Sequence, residues 1–172
     1  AWFYSGYSKW YRPFFHRFAY SFGSPNYLTE SSSCMTSTFL NWWVTTGNPM
    51  CSSDVLNAGV FLGWAYNPYY SRHLAALNVE KRKAEGMKVI IVDPRITPAA
   101  LKLADIHLRP RTGTDGAVAL GLAHILIRDG KTDQDYIEKY VYGYPQFAEY
   151  VKDFTPERVE RLTGVPAGQL EQ

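Results

Sequence analysis

Val60-Phe61-Leu62-Gly63-Trp64 and Lys88-Val89-Ile90-Ile91-Val92-Asp93-Pro94 bracket the segment on which the fold turns. The first run is apolar and suits a buried strand, which Asn67-Pro68 stops with turn chemistry. Between the runs, Tyr70 to Glu85 contains neither Pro nor Gly and sets Leu74, Leu77 and Val79 among Arg72, Lys81, Arg82 and Lys83. Gly86 stands where a helix terminates, so the spacing predicts a helix over 70–85. The second run is β-branched and ends in an acid and a proline, which reads as an interior parallel strand. Asp93 lies 33 positions after Val60, the length of one βαβ unit, whose crossover is expected to be right-handed.

Downstream the pattern repeats with variation. Ala99 to Ala104 reads as a short helix, Ile106-His107-Leu108-Arg109 as a short strand, and Gly113-Thr114-Asp115 as the opening of a helix over 116–128. That helix is apolar nearly all round, which predicts a buried element, with Gly116 and Gly121 permitting close backbone approach and Gly130 ending it. Residues 133–172 are charged and helical, with helix starts at Asp135, Thr155-Pro156 and Val165-Pro166. Upstream, Trp2-Phe3-Tyr4 reads as a strand, Pro13 to Phe22 as a helix stopped by Gly23, and Ser31 to Thr45 as a helix stopped by Gly47. Strand and helix alternate throughout, so the expected fold is α/β: a doubly wound, mostly parallel, Rossmann-like sheet with helices on both faces. In such sheets ligands bind beyond the carboxyl ends of the strands at a switch in strand order. One domain over 1–172 is expected, without linker or fixed-period repeat.

Composition is lopsided. The chain has 172 residues and a formal net charge of +2, yet residues 1–70 hold 20 of the 27 aromatics and only five charged residues, Lys9, Arg12, Arg17, Glu30 and Asp54. Soluble domains carry about a quarter charged residues, so much of this stretch must be buried, within the domain or against other chain. Disorder is excluded, and the run nearest to a membrane span, Thr36 to Pro49, is broken by Asn41, threonines and Gly47. Cys34 and Cys51 form no disulfide framework and match no zinc or iron-sulfur spacing. The sequence opens on Ala1-Trp2-Phe3-Tyr4 without Met or signal-peptide pattern, so a piece of a longer protein is expected, and localisation is not legible from its start.

The βαβ unit has the logic of a nucleotide site, in which one strand delivers a loop to phosphate and the next ends in an acid for ribose hydroxyls. Gly63 is a single glycine, not a GxGxxG loop, which weighs against a nicotinamide dinucleotide. Asp93 reads equally as a ribose acceptor or as an acid capping the Pro94-Arg95 turn. Gly113-Thr114-Asp115 can offer free N–H groups to an anion, or Thr114 can cap the helix while Asp115 satisfies its dipole. Arg109 and Arg111 can meet phosphates or be solvated charges. Cys34, at an expected helix start, is either an activated thiolate or a small buried hydrophobe, and Cys51 carries less signal. His16, His73, His107 and His124 show no ligand spacing and read as structural.

In their order along the chain, these segments resemble the molybdopterin oxidoreductases of the dimethyl sulfoxide reductase type. Phe22-Gly23-Ser24-Pro25-Asn26 is similar to that family's "LGSPN" segment, and Cys34, eight residues past Asn26, stands where the family places its Ser, Cys or selenocysteine metal ligand. Leu62 to Pro68 resembles the "W-G-x-N-P" loop, Val92 to Thr97 the "VDPRxT" segment, and Arg111 to Asp115 the "RPGTD" segment. The resemblance covers nearly the whole chain. It implies Cys34 as ligand to molybdenum or tungsten in a bis(molybdopterin guanine dinucleotide). It also implies cofactor contacts at Gly6, Asn26, Glu30, Trp64, Ala65, Tyr66, Asn67, Asp93, Pro94, Arg95, Thr97, Gly113, Thr114 and Asp115. A soft thiolate suits either metal, and the cofactor would carry the redox chemistry.

Ala65 replaces the loop's usual glycine and Thr112 the family's proline. Met35 follows Cys34 where formate dehydrogenases carry His, and no Arg precedes it as in periplasmic nitrate reductases, which turns the expectation away from both. The remaining expectation is two-electron oxygen-atom or sulfur-compound reduction. The alternatives are a non-redox hydratase of the acetylene hydratase kind and a cofactor-free nucleotide-binding or scaffold domain. By resemblance the parent adds an N-terminal iron-sulfur cluster and a C-terminal domain, so these residues alone are expected to be inactive. Partners implied are the rest of the chain, a small-molecule substrate, an iron-sulfur electron-transfer subunit and a membrane anchor subunit, with no nucleic acid. A periplasmic or membrane-associated location is implied over a cytoplasmic one. Trp2, Trp10, Trp42 and Trp43 are expected to pack on other domains or line a substrate funnel, leaving apolar patches beyond a few hundred Å².

Overall fold

The computed structural model describes residues 1–6, 10–29, 34–48 and 53–172. They form two compact units, Ala1–Ser53 and Asp54–Gln172. In the first, strand β1 (Phe3–Ser5) and helix α1 (Arg12–Ser21) precede β2 (Tyr27–Thr29) and α2 (Met35–Thr46). β1 and β2 pair in parallel, Phe3 against Tyr27. The three-residue β2 escapes periodicity in the sequence because it is too short to alternate. Gly47, in the left-handed region at φ 69°, ends α2 as expected, and its N–H donates to the Trp43 carbonyl. Trp2, Trp10 and Trp43 are exposed, while Trp42 is half-buried against Phe39. No helix of the described residues is long and apolar enough to cross a membrane.

The second unit runs β3 (Val60–Trp64), α3 (Pro68–Ser71), α4 (His73–Ala84), β4 (Lys88–Val92), α5 (Pro98–Lys102), β5 (Ile106–Leu108) and α6 (Asp115–Arg128). Four helices follow: α7 (Gln134–Tyr140), α8 (Tyr144–Val151), α9 (Pro156–Thr163) and α10 (Ala167–Leu170). The strands are parallel in the order β3-β4-β5. β4 is central and sends alternate side chains to opposite faces, as the pleat requires. Val89 and Ile91 join Val79 of α4 and Ala99 of α5 in one buried cluster, and Val92 joins Val118 of α6 and Val159 of α9 in another. Helices therefore cover both faces, as a doubly wound α/β sheet demands.

Several local expectations need correction. β3 is a strand but not a buried one: Val60 and Leu62 are exposed because β3 is an edge of this three-stranded sheet. The helix over 70–85 is two helices, broken where Arg72 adopts extended φ −151° and ψ 72°. α6 buries one face, Val118, Gly121 and Ile125, and leaves Leu126 exposed. A Cβ on Gly121 would lie 2.7 Å from Val159, so this glycine does permit close approach, whereas nothing lies within 4 Å of such an atom on Gly116. α7 begins one residue after Asp133, which accepts from the Tyr136 N–H, rather than at Asp135. The described strands show no reversal of order, so the loops below are located by the strand ends alone.

Candidate functional site

Because β3, β4 and β5 are parallel, the chain leaves all three at one edge of the sheet, bringing together residues 65–67, 93–97 and 109–115. Backbone and side chains tie these loops to one another. The Ala65 N–H donates to the Val92 carbonyl at 2.8 Å and the Asp93 N–H to the Leu108 carbonyl at 3.1 Å. His107 Nε2 lies 2.9 Å from the Asp93 carbonyl, and Arg109 Nε donates to the Pro94 carbonyl at 3.3 Å. His107 is thus structural, and it clamps the loop that the "VDPRxT" segment forms.

Asp93 is buried and its carboxylate faces its own turn. Oδ1 accepts the Arg95 backbone N–H at 2.8 Å and Arg95 Nε at 3.3 Å, and Oδ2 accepts Arg95 Nη2 at 3.3 Å. Burial alone would push this carboxyl up. The hydrogen bonds and charge of Arg95 outweigh it and hold the group below its ordinary value. Of the two readings of Asp93, the structure displays the turn cap. Thr97 is also buried and caps α5, its hydroxyl accepting the Ala100 N–H at 3.2 Å. Arg111 donates from Nη1 to the Arg161 carbonyl at 3.0 Å, and its N–H donates to the Thr163 carbonyl. Both carbonyls close α9, where a cation is favoured by the helix dipole, so Arg111 is engaged within the chain.

The "W-G-x-N-P" segment contains two features that the fold does not use. Ala65 sits at φ 47°, the one non-glycine residue with positive φ among the described residues, where the family has glycine. The left-handed region costs an L-residue about 1–2 kcal/mol, so the backbone keeps the glycine conformation despite the methyl. Asn67 precedes α3 in the N-cap position but does not cap it. Its amide nitrogen and oxygen are both buried with no hydrogen-bond partner among the described residues. Leaving such groups unsatisfied costs about 1–3 kcal/mol each. One buried donor and one buried acceptor, side by side at the strand-end loops, fit a polar ligand such as a nucleotide. Tyr66 beside it is half-buried against the Phe61 ring.

Across the edge, Trp64 Nε1 donates to Asp115 Oδ1 at 2.9 Å. Asp115 therefore serves more than its own helix dipole. Thr114 does not cap α6; its hydroxyl donates to the Arg111 carbonyl at 2.7 Å. Gly113, at φ 85°, supplies the left-handed turn that leads into α6. The Trp64 to Asp115 bond joins residues 51 apart and no local pattern announces it. A strand-ending Trp together with an acid in a first helical turn was the available signal.

In the first unit Gly6 follows β1 at the carboxyl edge of the two-stranded sheet, and Cys34 stands immediately before α2. Asn26 precedes β2 and lies at the other edge, where its carbonyl accepts the Phe3 N–H at 2.9 Å. Cys34 is an exposed free thiol at the head of α2, not a buried hydrophobe. Its carbonyl accepts from Ser37 Oγ, Thr38 Oγ1 and the Thr38 N–H, which fixes its backbone. Glu30 and Cys51 lie outside the described residues. Among the described residues no group of three His, Cys, Asp or Glu side chains could hold a metal by itself. A single thiolate fits a metal whose other ligands arrive with a cofactor. His16 packs edge-on against Tyr27, and His124 Nδ1 meets the Val151 carbonyl.

The family model for molybdopterin oxidoreductases matches residues 4–156. The alpha subunit of F420-dependent formate dehydrogenase 2 from Methanococcus maripaludis is 32% identical over 115 residues, 67% of this chain and 17% of that protein. The molybdopterin-containing subunit of thiosulfate reductase from Salmonella typhimurium is 31% identical over 151 residues, 87% of this chain and 20% of that protein. Among solved structures, acetylene hydratase from Pelobacter acetylenicus superposes with a TM-score of 0.75 at 27% identity, covering 90% of this chain and 21% of that one. The chain spans about a fifth of the length of these relatives.

Proposed function

Because the chain belongs to the molybdopterin oxidoreductase family, we propose that it holds one guanine dinucleotide of a bis(molybdopterin guanine dinucleotide) in a molybdenum or tungsten enzyme. The observation that carries this reading is the buried, unpartnered Asn67 amide at the edge where the three loops converge. Asn67 would supply one donor and one acceptor to the dinucleotide. Asp93 would act through Arg95 and the 94–97 turn, since its carboxylate is already engaged there. Asp115 is the residue suited to the base: guanine presents adjacent N1–H and N2–H₂ donors, and a carboxylate accepts such a pair. Cys34 would offer its exposed thiolate to the metal. When bound, the metal and its dithiolene sulfurs supply two-electron exchange with substrate.

For the parent protein the reading extends to oxygen-atom or sulfur-compound reduction, supported by the thiosulfate reductase subunit among its relatives. Electrons would pass through an iron-sulfur cluster elsewhere in the parent and an iron-sulfur partner subunit, with a membrane anchor and a periplasmic site. Hydration is the second reading, favoured by the acetylene hydratase structure that matches 90% of the chain.

The test is Asn67→Ala in the full-length protein. Its amide makes no hydrogen bond among the described residues, so removing it should leave the cofactor-free melting temperature unchanged or raised. Bound pterin should fall about tenfold, as the loss of one or two buried hydrogen bonds implies. Wild-type pterin content would refute the assignment. Cys34→Ala should remove one sulfur from the metal's X-ray absorption shell, and an unchanged shell would refute the ligand.

A further inference from the structure

We propose that Trp64 is a positioning residue that sets base selectivity through Asp115 without touching the base. The inference rests on the dinucleotide reading above and adds to it the device that aims the carboxylate. Asp115 is the first residue of α6, half-buried, and the one hydrogen bond its carboxylate makes among the described residues is from the Trp64 indole, to Oδ1. Oδ2 has no hydrogen bond among the described residues and remains able to accept. Left to itself, an aspartate at a helix start rotates among several side-chain rotamers.

Trp64 removes that freedom because its own position is over-determined. It ends β3, in register with Val92 of β4, and its ring packs against the cluster of Val92, Leu108 and Val118. A rigid strand thus presents a rigid donor, and the donor fixes one oxygen of the acid. An indole N–H can only donate, so it also keeps Oδ1 in an accepting role. A carboxylate held this way accepts from paired N–H donors and repels a base edge that presents an acceptor. Guanine offers the pair; hypoxanthine lacks the exocyclic amine and offers one.

The experiment uses the full-length protein prepared without cofactor, with GDP and inosine diphosphate as probes in calorimetric titrations. The wild type should bind GDP about tenfold tighter, the worth of one charge-assisted hydrogen bond. Trp64→Phe, which keeps a ring but no donor, should cut that ratio about fivefold while affinity for inosine diphosphate changes little. Trp64→Met repeats the measurement with a differently shaped apolar side chain, so that a folding defect in one variant does not decide the matter. A purely structural role for Trp64 would weaken both nucleotides equally, and a wild-type ratio in both variants or an equal loss in both would overturn the proposal. Asp115→Asn separates the two levels. If the wild type shows no preference and Asp115→Asn binds both probes as it does, the base reading itself fails and the positioning role falls with it.

Discussion

In residues 54–172 the central strand β4 sends side chains into a buried cluster on each face, whereas in residues 1–53 Ala19 is the one apolar residue fully buried among those described. The other buried positions of the first unit are Ser5 and Ser24. Meanwhile Trp2 is 75% exposed, Trp10 90% and Phe14 73%. The difference teaches where each unit gets its stability. The second encloses enough apolar surface to hold itself together, at roughly 25 cal/mol per Å² removed from water. The described residues of the first carry the aromatic payload of a core without enclosing it, so that unit by itself is short of buried apolar surface.

The largest expected effect follows directly. Residues 54–172 produced alone should unfold in one cooperative transition by circular dichroism. Residues 1–53 alone should show no such transition and should bind a hydrophobic dye strongly. A cooperative melt of the first unit by itself would break the comparison. Next in size is Gly121→Ala, where the added methyl meets Val159 at 2.7 Å and Leu170 at 3.1 Å. Overpacking of this kind costs about 1–3 kcal/mol, read as a lower urea midpoint. No equivalent penalty should be found at Gly6, where nothing lies within 4 Å of an added Cβ.

The contrast also explains what was legible in the sequence. β4 and α6 announce themselves through apolar runs, and the side chains that reveal them are the ones that build the second unit's core. The exposure of β3 was not legible, because Val60-Phe61-Leu62 reads the same in an edge strand as in a central one. At the site, the loop positions followed from strand ends, yet the partners did not. Asp93 to Arg95 is a local bond that a turn reading anticipates; Trp64 to Asp115 spans 51 residues and exists only once the sheet is assembled. The unused amide of Asn67 is invisible in sequence, where Asn67-Pro68 reads simply as a turn that stops the strand.

Smaller effects sharpen the second unit. Asp93→Ala should cost about 1.5 kcal/mol at neutral pH, the lower end for a hydrogen-bonded buried charge. The carboxyl's value is lowered in the folded state, so its contribution is fully present above the ordinary value of 3.8 and disappears as pH falls through the lowered one. The gap between variant and wild type should therefore close in acid, and a gap independent of pH would show that packing, not charge, is responsible. Ala65→Gly should stabilise by about 0.5 kcal/mol, since relief of the left-handed strain exceeds the added chain entropy. A loss of stability there would mean that the methyl makes a contact worth more than the strain.

The smallest effect returns to the first unit. Trp10 is 90% exposed, so Trp10→Ser removes a large apolar side chain that covers little among the described residues of its unit. Its effect on unfolding should lie within about 0.5 kcal/mol of zero, as for surface substitutions generally. Dye binding should fall with it, because the lost ring belongs to the exposed aromatic face. In the full-length parent the same substitution should cost more than 1 kcal/mol if other domains cover that face, about the worth of a partly buried aromatic. Equal effects in both contexts would mean that Trp10 stays in solvent even there, and that the aromatic surface of residues 1–53 is not a domain interface.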